Sequence, residues 1–395
     1  MTNVHISQLT IYQLAMPFRR QFRHAAAQRS VGDNIIVQLE LGNGQVGFGE
    51  TLAREYVTGE TPASVVDSIQ RIFLPILMQF NPDGFGEVIE LLERLPLVDN
   101  GKPLYAARCA VELALLDVYG KQFNRNPEIL TGWIDQPFWE PPGAAASVTY
   151  SGVIGTMKPK KAALVARLMR LWKLSDFKIK VGDPAEFDRL GEVAKALARP
   201  IKAGQVRLRV DANGAWKPED LKEKVDRLED LGILYLEQPT LPRFDDGWLP
   251  IQHHSGVNLI ADESLVSLAD AERLTRQYTV GIFNIRLAKN GGLLPSLKLA
   301  AFAFSRGIEV QLGCMVGETG ILTAAGQWFA NLVPEIIFAE GGYGKWLLKD
   351  DLLSKPVKFR YAGKIPTPKG PGLGIQVDLA KIRKYITSEP LSINI

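Results

Sequence analysis

Apolar and polar positions follow two different rhythms along the chain. Residues 4–15 and 34–50 alternate at the period of a strand. The second of these regions reads NIIVQLEL, then GNGQ, then VGFGE, which predicts a strand, a tight turn and a returning strand. Gly42, Gly44 and Gly47 in that turn have the spacing of a dinucleotide fingerprint, but that fingerprint needs a helix after the glycines. The chain alternates there instead, so the hairpin is the better reading. From about 61 to 125 the period becomes helical. Tyr105–Lys121 is apolar on a broad face, with Pro103 just before it and Gly120 near its end. Cys109 falls within it as a small core residue. Strands first and helices after predict an α+β unit over residues 1–130.

A second rhythm begins near Ala144. Short apolar segments recur, each followed by a helical stretch: ASVTYSG, DFKIKVG, VRLRVDANG, ILYLEQP, NLIADES, IFNIRLAKNGG, IEVQLGCM and EIIFAEGG. Glu186–Ala198, Pro218–Leu231 and Leu268–Gln277 are candidate helices between them. Eight strands alternating with helices predict an α/β fold, a parallel (β/α) TIM-type barrel over residues 131–354. An open doubly wound sheet is the alternative, because periodicity does not close a ring. The Gly/Pro-rich tail, residues 355–395, carries short strands and is expected to return to the N-terminal unit.

Composition narrows the class. The chain has 395 residues, with 46% hydrophobic and 23% charged, the balance of a globular protein. A net charge of +3 is too small to argue for a nucleic-acid partner. No apolar stretch reaches the ~20 residues of a membrane helix, and the opening MTNVHISQLTIYQL lacks the pattern of a signal peptide. Two cysteines, Cys109 and Cys314, make neither a disulfide framework nor a Cys-rich zinc site. Cytoplasm is the expected setting.

The charged residues that interrupt the apolar strands are spaced evenly. Strand two ends in Lys178-Ile179-Lys180, strand three in Asp211, strand four in Glu237, strand five in Asp262, and Lys289 lies just beyond strand six. The intervals are 31 (211−180), 26 (237−211), 25 (262−237) and 27 (289−262), each fitting one β/α unit. All five positions therefore fall at the C-terminal strand ends, where barrel active sites are built. Strand parity turns Lys178 and Lys180 the same way, opposite to Phe177 and Ile179, and hence into the barrel mouth. Carboxylates from three neighbouring strands can meet around one cation, and an all-oxygen set suits Mg²⁺. Strands two and six lie on opposite sides of an eight-membered ring, which puts Lys180 and Lys289 on opposite faces of a bound substrate. That arrangement suits removal of a proton next to a carboxylate, with the cation stabilising the enediolate charge. A lysine serves as base only if its pKa falls from about 10.4 towards ~7–8. Lys178, sharing a face with Lys180, is placed to help lower it.

Blander roles stand beside these. A structural salt-bridge layer inside the barrel suits Arg207, Arg209 and Arg286. Asn213 either caps the next helix or touches substrate. Glu263 caps its helix or orients Lys289. Glu318 lies in the loop layer after strand seven and is read as functional, and Cys314 as packing. His253 and His254 precede strand five and are structural. The stretch MPFRRQFRHAAAQRS places Arg19, Arg20, Arg23 and His24 in a loop, and LAREYVTGET adds Arg54 and Tyr56. These are either a solvated basic surface or, if the N-terminal unit covers the barrel mouth, selectors of an anionic substrate.

With KIK, DAN, EQP, ADES and KNGG in order, the chain resembles the enolase superfamily, and more narrowly its muconate lactonizing enzyme subgroup. The resemblance spans nearly the whole chain. It implies a modified barrel with an α+β capping domain built from both chain ends, and a homo-oligomer. It implies Asp211, Glu237 and Asp262 as ligands of Mg²⁺, with Mn²⁺ as a substitute, and Lys180 and Lys289 as acid/base residues. The loops carrying Arg19–His24 and Arg54–Tyr56 become specificity loops over a small carboxylate substrate. Mandelate racemase-like members use a His–Asp pair where this chain has Lys289. The subgroup holds cycloisomerases, racemases and epimerases, which are isomerases, and o-succinylbenzoate synthases, which are lyases; N-acylamino-acid racemases also belong to it. Dipeptide epimerases carry an acidic pair after the last strand, and Ala339-Glu340-Gly341-Gly342 has one acid only. A glycosidase using two barrel carboxylates and a non-catalytic binding barrel are the competing readings.

Overall fold

The computed structural model describes residues 4–24, 27–134, 136, 139, 147–276 and 280–395. An eight-stranded, all-parallel sheet forms the larger part. Its strands run in chain order: Gly152–Ile154, Asp176–Lys180, Arg207–Asp211, Tyr235–Glu237, Asn258–Ala261, Ile282–Ile285, Glu309–Leu312 and Phe338–Ala339. They are barrel strands one to eight. The sheet curls until its ends meet, where Ser151 N donates to the Ala339 carbonyl at 2.8 Å. Several helices between the strands bury one apolar stripe each, whereas Gly320–Leu332 is buried almost all round. Leu221–Asp230, for example, turns Leu221, Val225 and Leu228 inward, the i, i+4, i+7 spacing of an amphipathic helix.

The first strand differs from the expected one. Within ASVTYSG, Ser147–Thr149 pairs antiparallel with Lys364–Pro366 of the tail, and Gly152–Ile154 takes the barrel position beside strand two. Gly152 is packed closely there, since a Cβ would press on the side-chain ends of Met169 and Leu174 in the helix and turn that follow.

The cap is a four-stranded antiparallel sheet in the order 391–394, 6–24, 27–41, 46–52. Leu391–Asn394 pairs with the first strand, so the tail does return to the N-terminal unit. Arg19–His24 lies in strand rather than loop. Ile6–His24 and Ala27–Leu41 stay paired past an irregularity between Pro17 and Phe22, out to His24 opposite Ala27. The irregularity absorbs the break that Pro17 makes in the ladder.

Helix Tyr105–Gln122 is buried on every side from Tyr105 to Gly120. It sits between the cap sheet and the barrel, and Gly49 lets it approach, since a Cβ there would land on Ala110. The N-cap residue, Leu104, offers no side-chain acceptor. Glu60 supplies one, accepting from Ala106 N and Ala107 N, where the helix dipole favours negative charge. Farther along, Arg108 donates to the Gly291 carbonyl and to Glu112, which accepts from Leu294 N at 2.8 Å. The cap helix thus holds the turn that follows Lys289.

Candidate active site

Barrel register sets the polar row. Lys180 lies opposite Asp211, and Asp211 opposite Glu237, across strands two, three and four. Glu237 is opposite Ile260, so Asp262 stands two residues beyond that row. Lys289 sits in a short helix, Leu287–Asn290, after strand six, four positions round the sheet from Lys180.

All five side chains are buried or nearly so, Lys180 at 7% and the other four at 0% exposure. Such charges persist only when paired. Lys180 Nζ donates to Asp211 Oδ2 at 2.6 Å and to Asn213 Oδ1 at 2.8 Å. Lys178 Nζ lies 2.6 Å from Glu237 Oε1, 2.8 Å from Asp211 Oδ2 and 2.9 Å from Glu340 Oε1. Lys289 Nζ donates to the Asp262 carbonyl at 2.7 Å, Asp262 Oδ1 at 3.0 Å and the Asn284 carbonyl at 2.8 Å.

The two sides of the site differ electrostatically. Burial acts to lower Lys178, but Asp211, Glu237 and Glu340 outweigh it and hold the ammonium well above its ordinary value. Lys289 goes the other way. Burial, reinforced by the Arg286 guanidinium, pulls it well below, although its three acceptors favour the charged form. Asp211 is held well below the carboxylate range, because Lys178 and Lys180 overcome the burial that raises it.

Several contributors escaped the sequence reading. Glu340 at the end of strand eight is buried between Lys178 and Arg209; those cations overcome its burial and bring it down to about 2. Asn284 and Gln311 donate to the two oxygens of Glu237 at 3.0 and 2.9 Å. Their strand parity was a usable signal, since both alternate with apolar wall residues. Arg286 presses on Asp262, whereas Arg209 joins the salt-bridge layer with Glu340. Arg207 is at the other end of strand three, half exposed beside Asp176.

The remaining candidates separate. Asn213 bonds Lys180 and donates to Glu263 Oε1 at 3.1 Å, linking Glu263 to the Lys180 side. Glu318 accepts from Met315 N and Thr323 Oγ1, and burial pushes it up to about 8. Arg20, Arg54, Tyr56, Asn213, Glu263 and Glu318 line one cavity of about 760 Å³ with Lys178 and Lys180. Cys314 lines it too, rather than only packing. Arg54 is buried and donates to the Val316 carbonyl at 2.9 Å, so it is no solvated surface charge. Arg19 is turned to the Leu348 and Lys349 carbonyls. The side chain of His24 lies outside the described residues.

Asp211, Glu237 and Asp262 are hard oxygen donors of the kind Mg²⁺ takes. Among the described residues they are not drawn into one ready metal cluster; lysine and arginine heads lie against them instead. Asp262 Oδ2 has no partner of proper hydrogen-bond geometry. The Arg286 guanidinium lies against that oxygen, and three hard-oxygen donors at successive strand ends are the donor set that suits a divalent cation.

Residues 161–381 match the enolase C-terminal domain-like family, and residues 7–129 the mandelate racemase / muconate lactonizing enzyme N-terminal domain. The chain belongs to the enolase superfamily. Within the mandelate racemase/muconate lactonizing enzyme family, it is 29% identical over 353 residues to a chloromuconate cycloisomerase of Pseudomonas putida, covering 89% of this chain and 90% of that one. It is 27% identical to an N-succinyl-L-Arg/Lys racemase of Bacillus cereus over 94% of this chain and 95% of that one. A solved dipeptide epimerase from Enterococcus faecalis, complexed with Mg and L-Leu-L-Tyr, superposes with a TM-score of 0.79 at 25% identity, covering 94% of this chain and 99% of that one. These enolase-superfamily relatives are all isomerases.

Proposed function

We propose that this chain removes and returns the proton on the carbon next to a substrate carboxylate, as a racemase or cycloisomerase dependent on Mg²⁺. The observation that carries the reading is the pair of buried lysines, Lys180 and Lys289, on opposite sides of three strand-end carboxylates. Asp211, Glu237 and Asp262 would hold the cation, which supplies positive charge against the carboxylate as negative charge develops there. Lys289 is the better base, since burial and Arg286 favour its neutral form. Lys180 on the other side delivers a proton to the opposite face, guided by Asn213. Lys178 stays charged and adds a fixed positive charge to the row. Two proton-carrying groups on opposite faces favour inversion at carbon, so racemisation is placed ahead of cycloisomerisation.

The test is exchange of the α-proton in D₂O across a library of chiral carboxylates with Mg²⁺ present. Lys289→Ala and Lys180→Ala are each expected to abolish exchange from one antipode. Exchange of both antipodes that survives in either variant, or exchange that persists in EDTA, refutes the assignment. A glycosidase using the barrel carboxylates would turn over in EDTA and need neither lysine.

A further inference from the structure

A barrel helix needs one apolar stripe, and helix Pro159–Leu171 carries two. Ala162, Ala163 and Ala166 face the barrel. Leu164, Leu168 and Leu171, at i, i+4 and i+7, make a second stripe that is 55%, 52% and 73% exposed. Leu168 and Leu171 line the same cavity as Lys178 and Lys180. Trp172 and Trp346 add to that wall, with their rings edge to face at 6.3 Å and both about half exposed. Val153, Met157 and Met169 continue it inward. Tyr343 joins the two regions. Its hydroxyl donates to the Ser151 carbonyl at 2.8 Å, and its ring lies 6.2 Å from that of Phe359.

Charge divides the cavity. Lys178, Lys180, Glu263, Arg286 and Glu340 line it from the barrel and Arg20 and Arg54 from the cap, whereas among the described side chains those that line it from Val153 to Trp172 and from Trp346 to Leu348 are uncharged. A diacid of about ten heavy atoms, at no more than ~30 Å³ each, fills roughly 300 Å³. The cavity offers about 760 Å³. We propose that the apolar wing binds an uncharged alkyl-acyl or aromatic substituent on the substrate, so that the preferred substrates are amphiphilic carboxylates rather than small diacids. This rests on the proton-transfer reading for the placement of the carboxylate end, while the wing itself is read from its lining.

The experiment measures α-proton exchange by the full chain with Mg²⁺ on N-acyl alanines from acetyl to decanoyl. Binding of a naphthyl carboxylate is followed separately by energy transfer from tryptophan. The wing predicts that kcat/KM rises about two- to four-fold per methylene over the first several carbons. It also predicts that Leu168→Glu and Trp346→Ala flatten the decanoyl-to-acetyl ratio. Both positions are half exposed, so the fold tolerates them. Energy transfer that falls in Trp346→Phe and is displaced by decanoate supports the wing even if no carboxylate exchanges; that combination would sink the proton-transfer reading alone. Exchange indifferent to acyl length overturns the wing and leaves the proton-transfer reading intact. Self-association that Leu168→Glu abolishes, with a flat acyl series, assigns the stripe to a second copy of the chain and also overturns it.

Discussion

Glu50 joins the cap to the barrel, and its protonation should set how firmly. It stands on cap strand Val46–Leu52 and is completely buried. Its carboxylate accepts from Thr319 N and Thr319 Oγ1 at 2.8 Å each, Leu322 N at 2.9 Å and Asn34 Nδ2 at 2.6 Å. Asn34 in turn donates to the Gly317 carbonyl at 2.9 Å, so one acid secures the start of barrel helix Gly320–Leu332 and the loop before it. Burial pushes Glu50 from 4.5 up to about 7, against the lowering effect of its donors. A carboxyl raised on folding binds its proton more tightly in the native state. Its stabilising contribution is full below pH 4.5 and is lost as pH rises through about 7. With those two values, about 2 kcal/mol should disappear between roughly pH 5.5 and pH 8.5. Glu50→Gln cannot titrate, and it turns an amide donor towards backbone N–H groups, so it destabilises most at low pH. The gap between wild type and variant should narrow by about 2 kcal/mol as pH rises over that range. Denaturant midpoints of both proteins at three pH values measure it. Parallel pH profiles would refute the reasoning, because Glu60 and Asp245, raised in the same direction, are common to both proteins and cancel in the difference, while Glu318, raised in part by Glu50, is eased only in the variant.

Lys289→Ala should lower α-proton exchange by a factor of about 10² to 10⁴, measured by loss of the α-proton signal in D₂O. Gly49→Ala should destabilise by about 1–3 kcal/mol or prevent soluble expression, because its Cβ meets the Ala110 carbonyl of the buried helix; thermal melting checks this. Saturating Mg²⁺ should raise stability by about 2.7 kcal/mol at a hundredfold excess over its Kd, and Asp211→Ala with Glu237→Ala should remove that gain in a melting assay that needs no substrate. Arg54→Met should loosen the Met315–Gly317 loop by leaving the Val316 carbonyl without its donor, seen as faster amide exchange confined to that segment.

The barrel rhythm was legible because the strands are short apolar runs, several of them ending in a charge, and helices such as Leu221–Asp230 carry one inward stripe. Lys178, Lys180, Asp211 and Asp262 could be aimed by parity, since a period of two leaves no choice once one face must be buried. The first strand was misplaced by a few residues because SVT and GVI are two short β-branched runs almost back to back. Only the packing of Gly152 under Met169 and the pairing of Val148 with Ile365 separate them. Arg19–His24 read as loop because Pro and a cluster of arginines imitate a turn, while the ladder opposite them is a tertiary fact. Glu340, Arg286, Asn284 and Gln311 were overlooked or undervalued as contributors to the site. Their importance comes from neighbours around the ring, and ring neighbours are far apart in sequence.

The strand pairing of Gln8 with Asn394 has a consequence for how the molecule comes into being. The cap sheet takes its edge from residues 391–394, beyond the entire barrel. During synthesis the barrel units can assemble in order as they emerge, through contacts close in sequence, whereas the cap's outer ladder must wait for residues 391–394. Until then the strand from Ile6 presents unpaired backbone on that side, the kind of edge that invites pairing with another chain. Completion of the lid is therefore a late, long-range event, and damage near Leu391 should be felt first as slow maturation and aggregation of newly made protein.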